Sequence, residues 1–151
     1  MPNETPFIQS LQRFVSYYDE RWQGATVQTY EERGFTRWVI GSTALLREKI
    51  GNCPQILHHN QKTDNVLVLV HGLTDSPYYV QAIAEDFAQA GFNVVLPLLP
   101  AHGLRRPGRA FQSLKHIDWT QSVDSIAQLA SPLGEKLSLG GFSTGGALPV
   151  Y

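Results

Sequence analysis

The spacing of apolar residues changes partway along the chain, and the change separates two segments. After Thr5-Pro6, the residues Phe7, Ile8, Leu11, Phe14, Val15 and Tyr18 recur every three or four positions. That spacing predicts an amphipathic helix with Thr5 as its N-cap and proline in its first turn. Trp22 to Trp38 fits either a short strand or a loop, and Ser42 to Ile50 reads as a second helix stopped by Gly51 and Pro54. Gln55 to His59 is predicted to be extended, ahead of a polar turn from Asn60 to Asp64. Residues 1–54 are therefore expected to form an N-terminal helical extension, and residues 55–151 a second unit.

From Val66 the pattern sharpens. Val66-Leu67-Val68-Leu69-Val70 is apolar without alternation, as expected of a strand buried on both faces of a parallel sheet. Ser76-Pro77 opens a helix with Val80, Ile83, Ala84, Phe87 and Ala88 on one face, ended by Gly91. Asn93 to Leu96 gives a second buried strand, and the Pro-, Gly- and Arg-rich stretch 97–115 a long loop at its end, where ligands sit in open α/β sheets. Asp118 is placed to cap a third helix, with Gln121 returning the bond and Val123, Ile126, Ala127 and Ala130 facing inward. Pro132 and Gly134 end it, and Leu137 to Gly140 is the last strand. Strands alternating with helices predict the α/β class, a mostly parallel sheet with right-handed crossovers and helices on both faces.

Composition narrows the function classes. A formal charge of −1 with scattered Lys and Arg leaves no basic face for nucleic acid, and Arg105, Arg106 and Arg109 read as a solvated loop. The longest apolar runs are too short to span a bilayer. Cys53 is the one cysteine and has no disulfide partner within the chain, and the start of the chain lacks a signal-peptide pattern, so a cytoplasmic location is expected. His58 and His59 point to opposite faces of an extended segment, which is wrong for chelation, and neither a metal nor a cofactor is expected.

The chemistry lies in Gly141-Phe142-Ser143-Thr144-Gly145, which fits G-x-S-x-G between a strand and a small-residue helix. In a nucleophile elbow the serine sits on a tight strand-to-helix turn, and its neighbours must be small to avoid a Cβ clash. Gly141, Gly145 and Gly146 meet that requirement. A phosphate-cradling loop fits worse, because no G-x-G-x-x-G register is present and Gly146 stands where a Walker lysine would be needed. A second turn, His71-Gly72-Leu73-Thr74, follows the Val66 to Val70 strand directly.

With these two turns, the loop ending in His102-Gly103 and the helix opened by Asp118-Trp119, the segment from about residue 55 to 151 resembles the α/β-hydrolase family. The resemblance is to its carboxylesterase and monoglyceride-lipase-like members, and to their N-terminal half. It implies a serine hydrolase acting on small-molecule carboxylic esters or lipids, with Ser143 as nucleophile and the backbone N–H groups of Leu73 and Thr144 as oxyanion donors. Gly72 would let the backbone approach closely, and His71 would be structural rather than a base.

In that family the acid and histidine of the triad follow the serine along the chain, whereas eight residues follow Ser143 here. The expectation is therefore an α/β-hydrolase fold truncated after the elbow. Its open sheet edge would take a complementary C-terminal half or a second copy. Two alternatives accompany this reading: a non-catalytic or remnant binding or dimerisation module of the same fold, and an improvised dyad of Ser143 with His102 or His116.

Overall fold

The computed structural model describes residues 5–42, 52–72, 76–102 and 116–141, without the side chain of His116. Helix α1 (Pro6–Trp22) starts where the sequence places it, with the Thr5 hydroxyl accepting the Ile8 N–H at 3.2 Å. Phe7, Leu11, Phe14 and Tyr18 form its buried stripe, while Ile8 turns outward. The chain then makes a hairpin of β1 (Thr26–Glu32) and β2 (Phe35–Gly41), joined by Arg33-Gly34 with Gly34 at φ 93°. That left-handed conformation favours glycine. So the α-helical part of the first 54 residues, as far as they are described, is α1; residues 26–41 extend the sheet. The helix expected from Ser42 to Ile50, and Gly51 beyond it, fall outside the described residues apart from Ser42.

The sheet continues with β3 (Gln55–His58), β4 (Thr63–Val70), β5 (Asn93–Leu96) and β6 (Gly134–Gly141). Among the described residues it has six strands in the order β1-β2-β3-β5-β4-β6. Strands β4, β5 and β6 are parallel, and β1, β2 and β3 add three antiparallel pairings, so the sheet is mixed. The parallel half is the part built by strand–helix alternation. The N-terminal half joins by antiparallel pairing, β1 to β2 through a short hairpin turn and β3 to β5 at the boundary with the parallel half.

Helices cover both faces. Val66, Val68 and Val70 of β4 share one core with α1 and α3 (His116–Ala130), and Leu67 and Leu69 share the other with α2 (Gln81–Gln89). The unbroken apolar run of β4 is thus explained residue by residue. A 3₁₀ turn, Pro77–Val80, precedes α2. The buried stripe of this helix is narrower than predicted: Val80, Ala84 and Ala88 are inside, whereas Ile83 and Phe87 are each more than a third exposed. Small side chains let α2 lie close on the sheet, and the larger residues flank the contact. Helix α3 begins at His116, so Asp118 lies within its first turn rather than at the cap. Among the described residues no helix is long and apolar enough to cross a membrane.

Two polar features tie the elements together. Arg37 is buried in β2 and donates to Gln55 Oε1 at 2.6 Å, Glu32 at 2.9 Å and Glu85 of α2 at 2.9 Å. On the other face, Ser10 donates to the Leu129 carbonyl and Tyr17 pairs with Ser122 at 2.9 Å, joining α1 to α3.

Strand β6 is the outermost strand beside β4, with Leu137 39% and Leu139 37% exposed. Its first residue is closely fitted. A Cβ at Gly134 would lie 2.6 Å from the Val66 nitrogen and 2.8 Å from the Asn65 carbonyl carbon, both backbone atoms that cannot turn aside. Gly134→Ala is accordingly expected to destabilise the fold by about 3 kcal/mol, read as a lower urea midpoint. An unchanged midpoint would show that β6 does not enter the sheet this closely.

Candidate active site

The parallel strands β4, β5 and β6 end on one edge of the sheet, and their register decides what meets there. Val70, the last residue of β4, is the partner of Gly141, the last residue of β6. Adjacent strands lie about 4.8 Å apart. The His71-Gly72 turn and the Gly141 end of the elbow motif therefore leave the sheet side by side and at the same level. Ser143, Leu73, Thr144, Gly145 and Gly146 lie outside the described residues.

His71 is fully buried between this turn and the loop after β5. Its Nε2 accepts the Leu99 N–H at 3.0 Å, which places the ring proton on Nδ1, and Nδ1–H donates to the Gly72 carbonyl at 2.9 Å. Burial, opposed in part by the Gly72 bond and reinforced by the neighbouring His102, lowers its pKa to about 4. The ring is neutral at neutral pH and both nitrogens are engaged, so His71 holds the turn instead of accepting a proton.

The loop after β5 is itself fixed. The His102 N–H closes a turn onto the Leu99 carbonyl at 3.2 Å, with Ala101 at φ 63°, and His102 Nδ1 donates to the Pro100 carbonyl at 2.9 Å. The His102 ring packs 4.8 Å from His71 and 6.3 Å from Trp119 of α3, measured between centroids. One residue before Leu99, the Leu98 N–H donates to the Tyr18 hydroxyl of α1 at 3.1 Å. Burial first, and then Tyr17, raises the Tyr18 pKa, keeping it a phenol.

No protein-family model matches the chain. A thermostable monoacylglycerol lipase from Bacillus sp. (strain H-257) is 32% identical over 85 residues, 56% of this chain and 33% of that protein. Among solved structures, one described with the metagenome-derived lipolytic enzymes LipS and LipT superposes with a TM-score of 0.58 at 29% identity, covering 66% of this chain and 39% of that one. An acetyl xylan esterase from Paenibacillus sp. R4 gives 0.54 at 14% identity, covering 97% and 54%. The chain has an α/β-hydrolase fold of the esterase and lipase kind. It spans about a third of the length of the lipase and about two fifths to a half of the structural relatives.

Within this hydrolase fold the described site is a scaffold: the Gly72 turn, the Gly141 strand end, and the loop from Pro97 to His102 that walls them. Sequence patterns locate the first two, since each motif directly follows an apolar strand. They do not reveal Tyr18, Leu99 or Trp119 as parts of the wall. Tyr18 reads as one more inward residue of α1, and its partner lies 80 positions away. Tyr18→Phe would leave the buried Leu98 N–H without its acceptor. A loss of about 2 kcal/mol is expected, measured by urea unfolding, and a loss below about 0.5 kcal/mol would mean that water replaces the hydroxyl.

Cys53, the remaining candidate nucleophile by residue type, is buried, and burial pushes its thiol up to about 11. It is thereby kept as an unreactive thiol.

Proposed function

We propose that the protein hydrolyses small-molecule carboxylic esters, lipid monoesters among them, through Ser143. The observation that carries this is the pairing of Val70 with Gly141, which brings the ends of both motif-bearing strands together on one edge. Two residues past Gly141 stands the serine, and three past Val70 stands Leu73. On this reading those short offsets let a hydroxyl and a backbone donor meet at one acyl group.

In this reading the Ser143 Oγ attacks the ester carbonyl, and the carbonyl oxygen gains the negative charge of the tetrahedral intermediate. The N–H groups of Leu73 and Thr144 receive that charge. Backbone donors suit the task because they are fixed before the reaction begins and need no reorganisation as charge develops. The hydroxyl proton passes to a general base that the described residues do not supply and from it to the leaving oxygen as the C–O bond breaks, so the alcohol departs and an acyl-serine remains; water then cleaves that ester to the acid and restores the Ser143 hydroxyl. In this reading Gly72 and Gly141 allow the backbone to approach the substrate closely. The lipase and esterase relatives support an ester as substrate class, and the absence of charged side chains from both motifs favours an uncharged acyl group.

A fluorophosphonate probe tests the assignment. It is expected to label the protein once, with labelling abolished in Ser143→Ala. Labelling that persists in that variant, while the variant remains folded, overturns Ser143 as the nucleophile.

A further inference from the structure

We propose that His58 is an acid-operated latch, which holds the β3–β4 turn closed beneath α1 as long as its ring is neutral. The latch lies away from the ester chemistry and does not depend on Ser143.

His58 ends β3 and is 1% exposed. The Asn60 N–H donates to its Nδ1 at 3.0 Å, within the turn that leads into β4. A backbone N–H can only donate, so Nδ1 is the acceptor and the ring proton sits on Nε2. Nε2 is buried and has no hydrogen-bond partner among the described residues. Its surroundings are aromatic: the ring meets Phe7 of α1 in a T-shaped contact with centroids 5.5 Å apart, and Trp38 of β2 likewise at 5.8 Å. One imidazole thus joins three elements, the turn through a hydrogen bond and α1 and β2 through ring contacts.

The turn is built around that bond. Asn60 stands at φ 60°, the left-handed region that asparagine tolerates better than most residues. Its side chain donates to the Thr36 hydroxyl at 3.2 Å, and that hydroxyl donates to Glu31 at 3.0 Å. α1 also supports the site wall through Tyr18, so the latch fastens the start of a helix whose far part holds the loop after β5.

Protonation undoes the arrangement at its centre. Nδ1 gains a hydrogen, two donors then face each other at 3.0 Å, and the buried charge has no carboxylate bonded to it among the described residues. The titratable groups that act on the ring are His59, beside it in the chain, and Glu31 of β1, whereas α1 and β2 present aromatic rings. Burial, reinforced by His59, prevails over the opposing pull of Glu31 and lowers the His58 pKa to about 4. A solvated histidine titrates near 6.5. The neutral latch therefore contributes its full stability above about pH 6.5 and loses it as the pH falls from there toward about 4.

Amide hydrogen exchange tests the latch, with protection of the Asn60 amide followed between pH 7 and pH 5 in the wild type and in His58→Asn. The asparagine Oδ1 takes the place of Nδ1 as acceptor and does not titrate. After correction for intrinsic exchange, wild-type protection is expected to fall about 20-fold over this range, and that of His58→Asn less than about two-fold. Equal falls in the two proteins, or no fall in the wild type, overturn the latch. His71 is also buried with a lowered pKa, but both proteins carry it, so its share cancels. Where the variant does not fold, NMR titration of the His58 ring in the wild type decides: a midpoint at or below about pH 5 supports the latch, and a higher one overturns it.

Discussion

Ester turnover falls by about 10⁶-fold in kcat when Ser143 becomes alanine, if the serine is the nucleophile. Alanine has no atom able to form the acyl intermediate, so the reaction must pass through direct attack by water. On that reading the oxyanion donors and ester binding would remain, and together would retain a residual acceleration of about 10³-fold over water. The measurement is steady-state hydrolysis of a short-chain ester beside a urea melt of the same preparation. A loss of less than ten-fold in a fully folded variant would remove Ser143 from the chemistry. Neither His71 nor Cys53 takes its place. Both nitrogens of His71 are committed to Leu99 and Gly72, and the Cys53 thiol is buried and held protonated.

The parts of the fold that could be read from sequence are those where burial is uniform along an element. Strand β4 is apolar at every position from Val66 to Val70 because α1 and α3 cover one face and α2 the other. The hairpin of β1 and β2 carries no such signal. β1, Thr-Val-Gln-Thr-Tyr-Glu-Glu, is an edge strand exposed along most of its length, and its charges protect that edge from further pairing. β2 conceals its burial behind Arg37, a residue that reads as solvent-facing. The arginine is tolerated inside because Glu32, Gln55 and Glu85 meet it, and those partners lie 5, 18 and 48 positions away. Long-range compensation of this kind leaves no local period in the sequence.

The candidate site divides along the same line. Where each glycine-containing motif begins is legible because it directly follows a strand, and parallel strands must end on a common edge. That Val70 and Gly141 stand in register is a tertiary fact, set by the whole pairing from Thr63 with Gly134 onward. The wall made by Tyr18, Leu98 and Leu99 is tertiary as well, since α1 reaches the site from the far end of the chain.

Asn93→Leu is expected to destabilise the protein by about 4 kcal/mol while leaving the kcat of the folded fraction unchanged. Asn93 opens β5 and is fully buried at the edge of the sheet opposite the site. Its Nδ2 donates to the carbonyls of Gln61 and Leu133, each at 2.8 Å, and its Oδ1 accepts the His59 N–H at 3.0 Å. One amide therefore satisfies the β3–β4 turn and the end of a 3₁₀ turn, Ser131–Leu133, that precedes β6. Leucine is close in volume and leaves no cavity, so the loss reports the orphaned groups: two carbonyls and one N–H, each worth about 1–3 kcal/mol when buried without a partner. The carbonyl penalty is the softer part, because Leu133 is also within 3.5 Å of the Thr63 hydroxyl. A urea midpoint shift equivalent to less than about 1 kcal/mol would mean that the turns are held by other bonds. A fall in kcat with the midpoint intact would instead place Asn93 in communication with the far edge of β5, where Leu96 leads into the loop that carries Leu99 and His102.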